Sequence, residues 1–165
     1  TGSGCTVFGP PGIGLRGETL LDIAFGELPA RRWMREALRF VEVTDGQTEF
    51  LAPGLAATCL RMDHFAETYG FYLTENSQTP FAYVPDTLWC PNVDSILRRE
   101  PAHVLIDLNG EADDNVPVHI AEKELLAHIA AHRGRTEFWG THLKHNKTAG
   151  TANIHYPVQG DTIRF

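Results

Sequence analysis

Phe81-Ala82-Tyr83-Val84-Pro85-Asp86-Thr87 joins a β-prone tetrapeptide to a carboxylate. Phe, Tyr and Val favour a pleated, half-buried surface. Pro85 has no N–H to give to a ladder, so the strand stops there and Asp86 stands at its C-terminal end. The same arrangement recurs on either side. Leu55–Met62 is a strand with apolar positions throughout, followed by His64 and then by a second strand, Tyr69–Thr74. Downstream, Arg135–Gly140 is a strand that ends at Thr141-His142-Leu143. An α/β scaffold gathers such strand-end side chains onto one rim. Imidazole nitrogen with carboxylate oxygen suits zinc, manganese or iron. His64, Asp86 and His142 are therefore the candidate metal ligands. No histidine precedes His64, so a two-metal centre needs more ligands than this sequence supplies.

Elsewhere the pattern changes along the chain. Cys5–Phe8 is a short strand that ends in the turn Gly9-Pro10-Pro11-Gly12-Ile13-Gly14, which continues neither strand nor helix. A helix over Glu18–Leu28 follows, with apolar residues at 20, 21, 24, 25 and 28, and a second over Arg31–Leu38. Short strands at Arg39–Val43, Thr48–Leu51, Leu55–Met62, Tyr69–Thr74 and Phe81–Val84 predict an antiparallel meander, with turns at Asp45-Gly46 and Pro53-Gly54. A short helix over Val93–Arg99 leads to His103-Val104-Leu105-Ile106-Asp107, a run expected to be buried on both faces. His119–Arg133 reads as an amphipathic helix, and Ala152–Tyr156 and Thr162–Phe165 as closing strands. This order gives an α/β or α+β class with layered architecture.

The 165 residues suit one domain spanning 1–165, large enough to bury a core without disulfides. The net charge of −7, from 14 basic and 21 acidic residues, argues against broad attraction to a nucleic-acid backbone or an anionic membrane. An anionic substrate at one locally positive, metal-bearing site is compatible with it. Apolar runs are too short for a membrane span of about 20 residues, and no signal peptide is visible. Three cysteines without a CxxC pair read as reduced thiols in a cytoplasmic protein.

Taken together, these motifs resemble the C-terminal half of the metallo-β-lactamase superfamily. The resemblance runs from His64 before Tyr69-Gly70-Phe71, through Ala82-Tyr83-x-Pro85-Asp86-Thr87 and the strand 103–107, to Gly140-Thr141-His142-Leu143 and the closing Gly160-Asp161-Thr162-Ile163. Gly9-Pro10-Pro11-Gly12 is similar to the turn of the ribonuclease Z and phosphodiesterase branch. The resemblance implies a metallo-β-lactamase-like layered sandwich, present as its C-terminal half: a mixed sheet with helices on one side. It implies that His64, Asp86 and His142 are the third, fourth and fifth metal motifs, with Asp86 bridging two divalent ions, zinc or manganese. It also makes His119 the candidate catalytic proton donor, the other reading being an exposed first-turn histidine. Asp107 could orient a ligand histidine or bond within its loop. The family's HxHxDH motif is absent here and would lie upstream of Thr1. Leu108 stands where that branch often carries glutamate.

The implied function is a metal-dependent hydrolase acting on a phosphodiester or another small molecule, active once the missing motif is supplied and inactive as this chain alone. Nucleic acid and membrane are not expected partners. The competing expectation is a truncated, non-catalytic domain that dimerises through its open sheet face. His145 is expected in a surface or supporting role, and Arg31, Arg35 and Arg39 as an exposed helix stripe.

Overall fold

A computed structural model describes residues 4–111, 117–132, 134–143 and 153–163. It falls into two compact units, Thr1–Asp45 and Gly46–Phe165. His145 and the end of the expected last strand lie outside the described residues.

In the first unit, β1 (Cys5–Gly9) pairs in parallel with β2 (Leu38–Glu42), and α1 (Ile13–Phe25) and α2 (Pro29–Ala37) connect them. The segment assigned from sequence to the start of the meander is therefore a partner of β1, since strand propensity does not encode the neighbour. The first helix also begins five residues earlier than expected. Gly12 sits at φ +83° as its N-cap and donates its N–H to Glu42 Oε1 at 2.8 Å, so the glycine-rich turn opens the helix instead of preceding it. Gly17 lies so close to Phe40 that a Cβ would come within 2.3 Å of its ring, which lets α1 settle onto β2. Of the apolar positions expected to face inward, only Leu21 is buried. Arg31 and Arg35 are held in ion pairs by Glu18, and Arg31 also by Asp22, while Arg39 belongs to β2, so the three do not share one helix face.

The second unit is built on a seven-stranded sheet: β3 (Thr48–Ala52), β4 (Leu55–Arg61), β5 (Tyr69–Glu75), β6 (Phe81–Val84), β7 (His103–Asp107), β8 (Glu137–Thr141) and β9 (Ile154–His155). The strands lie side by side in sequence order. Pairing is antiparallel from β3 to β6, as short loops require, and parallel from β6 to β9. The parallel crossovers carry α3 (Pro91–Leu97) and α4 (Glu122–His132). Thr162 and Ile163 are not in a strand.

Both helices pack on one face. Val93, Ile96 and Leu97 of α3 and Leu125 of α4 share a core with Val84, Val104, Ile106, Phe138 and Ile154 of the sheet. Each such aliphatic side chain contributes about 1.5–3 kcal/mol on burial. The opposite face carries a row in register, Phe71, Tyr83, Leu105, Trp139 and His155, each only half-buried. The run 103–107 is thus fully covered on one face and partly on the other, short of the two-sided burial expected. No helix among the described residues is long and apolar enough to cross a membrane.

Candidate metal centre

Parallel pairing decides where the site forms. Val84, Ile106 and Gly140 stand abreast in β6, β7 and β8, and Asp107 is level with Thr141. The residues that follow, Asp86 and His142, therefore emerge beside Asp107 at the C-terminal ends of three neighbouring strands. Such strand ends are where open α/β sheets place ligands. His142 Nδ1 lies 3.1 Å from Asp86 Oδ1 and 3.6 Å from Asp107 Oδ1. Its backbone is at φ +55°, a left-handed conformation that costs a non-glycine residue about 1 kcal/mol or more. That strain turns the chain sharply out of β8 into the rim.

His119 arrives by a different route. It precedes α4, whose first residue is Glu122, and its side chain is only 13% exposed, so the exposed first-turn reading is wrong. Gly110, just past β7, accommodates this approach: its N–H donates to Ile120 O, and a Cβ there would lie 2.5 Å from His119 O. Glu124 caps the segment by accepting the Ala121 N–H at 2.9 Å. His119 Nδ1 then meets Asp107 Oδ2 at 2.7 Å. Asp107 is buried, and its Oδ1 accepts the Asn109 N–H at 3.0 Å. A carboxylate placed there persists because it is bonded on both oxygens.

Asp86, Asp107, His119 and His142 can each offer a ligand atom within 4.8 Å of the others. This group contains two of the three expected ligands together with the expected proton donor. Asp107, read from the sequence as orienting a histidine or bonding within its loop, is the fourth member and bonds both His119 and the Asn109 N–H. The two carboxylates also act on Tyr83, whose phenol is pushed up by burial first and by Asp86 and Asp107 next.

His64 lies outside that group of four but lines the same rim, its ring centroid 5.7 Å from that of His119. The buried Thr87 holds its loop in place. Thr87 Oγ1 accepts the Asp63 N–H at 3.0 Å and donates to Leu88 O at 2.8 Å, and the Leu88 N–H reaches Asp63 O. Asp86-Thr87 thus joins a candidate ligand to the staple that fixes a second. Leu108, in the place of the expected glutamate, is fully buried and contributes packing.

A divalent cation fits these residues on two grounds. Imidazole nitrogen from His64 and His142 with carboxylate oxygen from Asp86 is the donor chemistry of zinc, manganese and iron. His64 Nε2 is buried with no hydrogen-bond partner among the described residues, a condition that proteins seldom leave uncompensated.

No protein-family model matches the chain, and no curated protein sequence matches it significantly. Solved structures do. The metallo-β-lactamase fold protein YhfI from Bacillus subtilis superposes with a TM-score of 0.61 at 16% identity, over 96% of this chain and 55% of that one. The chain has the metallo-β-lactamase fold. A diphosphatase of the PhnP family matches with a TM-score of 0.63 at 13% identity, over 92% of this chain and 54% of that one. The short form of human tRNase Z matches with a TM-score of 0.60 at 13% identity, over 87% and 62% respectively. The chain thus spans roughly half to three-fifths of the solved metallo-β-lactamase folds named here.

Proposed function

We propose that this chain carries part of the metal centre of a metal-dependent hydrolase, with a phosphodiester as the favoured substrate. The convergence of Asp86, Asp107, His119 and His142 at the ends of three parallel strands carries the reading. His64, Asp86 and His142 would hold metal, with Asp86 the bridge if two ions bind. Bound zinc or manganese would lower the pKa of a water and polarise the substrate. His119, oriented through Nδ1 by buried Asp107, presents its other nitrogen as proton donor to the leaving oxygen. Two ions need more ligands than these residues provide, so full activity draws on a longer polypeptide or another chain, and this chain alone is inactive.

Two neighbours support the substrate class: one is named a diphosphatase and another a tRNase. The net charge of −7 favours a small phosphodiester over a nucleic acid, and a cytoplasmic setting suits the free thiols. The test does not require turnover. With Mn(II) added to the chain, the ³¹P signal of dimethyl phosphate should broaden through contact with bound metal, and D86N/H142Q should abolish the effect. No broadening with the unaltered chain contradicts the proposal.

A second reading rests on the half-buried row Phe71, Tyr83, Leu105 and Trp139 opposite the helices. Such a face is a surface for a second copy of this chain. A dimer by sedimentation that Tyr83→Lys splits favours it, and a monomer at all concentrations rejects it.

A further inference from the structure

The opposite end of the parallel strands holds a second cluster of imidazoles. His128 and His132 are one helical turn apart on α4, so their side chains share a face. Their rings stack with centroids 4.2 Å apart and planes 19° from parallel. Both line a cavity of about 110 Å³ whose wall also includes Arg98, Glu100, Thr136 and Asn153. Thr136 immediately precedes β8, whereas the rim residue His142 follows its last residue. Strand β8 rises about 3.3 Å per residue. The two clusters are therefore too far apart to share an ion.

The His132 ring is prepared to give a lone pair. His132 Nδ1 is 3.0 Å from His128 O. A carbonyl only accepts, so the proton sits on Nδ1 and Nε2 of the neutral ring is left as a ligand atom. Histidines that bind metal usually donate their other N–H in this way. His128 also packs against Trp89, at 5.7 Å between centroids. The cavity wall carries one basic and one acidic side chain, Arg98 and Glu100.

We propose that His128 and His132 form a second metal site, a two-imidazole clamp on α4 for a borderline divalent transition cation such as nickel, copper or zinc. Water completes the coordination in the cavity. Two protein ligands make it an exchangeable site, and binding requires the helix to be formed. An ion held there therefore stabilises the folded chain through linkage.

The test is a calorimetric titration of the full chain with Ni(II), in the D86N/H142Q background so that the rim does not compete. One Ni(II) should bind per chain and raise the unfolding temperature. His132→Gln should weaken binding by more than about tenfold, since loss of a mere outer-shell partner already costs 10–100-fold, and should remove the thermal shift. His128→Gln should do the same. His132 is exposed on the helix surface, so its variant decides the matter even if His128→Gln does not fold. Absence of Ni(II) binding, or binding that survives His132→Gln unchanged, overturns the proposal.

Discussion

His119 and Asp107, twelve residues apart, meet through Nδ1 and Oδ2 at 2.7 Å, with the carboxylate buried and the imidazole nearly so. The bond fixes the orientation of His119. Removing the carboxylate with Asp107→Ala would leave the His119 ring and the Asn109 N–H without their acceptor. Hydrogen bonds to a charged group contribute about 1.5–3 kcal/mol, and a destabilisation of that size is expected in urea titrations. His119→Gln should cost less, because the amide can still donate to Asp107.

Thr87 acts on the site through the His64 loop. Thr87→Val keeps the shape but loses the hydroxyl that bonds Asp63 N–H and Leu88 O. Stability should fall by about 1–3 kcal/mol, the cost of leaving a buried partner unsatisfied. Mn(II) affinity should fall as well, since the loop carrying His64 loses its anchor. Chemical denaturation and metal titration of the same variant measure the two effects.

Gly110 is needed for space. Gly110→Ala places a methyl group against His119 O and Ile120. Overpacking of this kind costs about 1–3 kcal/mol. The displaced segment carries His119, so the ring signals of His119 in NMR spectra should move more than those of His155.

Alkaline pH reports on Tyr156. Its hydroxyl donates to Glu122, and burial first, then that bond and its charge, raise the phenol above the ordinary value. A raised pKa means that the folded state holds the proton more tightly than the unfolded state. The stability is fully present below about pH 10, the unfolded pKa, and is lost as pH rises above it. The unfolding temperature should therefore fall more steeply above pH 10 in the unaltered chain than in Tyr156→Phe. Equal slopes would assign the loss to other groups.

Much of this architecture was legible because its signals are local. Pro85 ends β6 and leaves Asp86 at the rim, and the apolar run before Asp107 marks β7. The helix start at Ile13 was not legible, since the glycines that look like breakers are organised by Glu42, thirty residues away. The parallel partnership of β1 with β2 was hidden for the same reason. At the site, Asp86 and His142 were visible as strand-end residues. The bond between Asp107 and His119 depends on the parallel register and on the approach past Gly110, neither of which appears in a local pattern.

Manganese binding at the rim tests the central claim most directly. Mn(II) favours oxygen-containing donor sets, so it should select the rim over the two imidazoles of α4. Titration followed by electron paramagnetic resonance should show stoichiometric binding to the unaltered chain and to His132→Gln, and its loss in D86N/H142Q. A chain that binds no Mn(II), or a D86N/H142Q variant that binds it as tightly as the unaltered chain, would contradict a metal centre built on these residues.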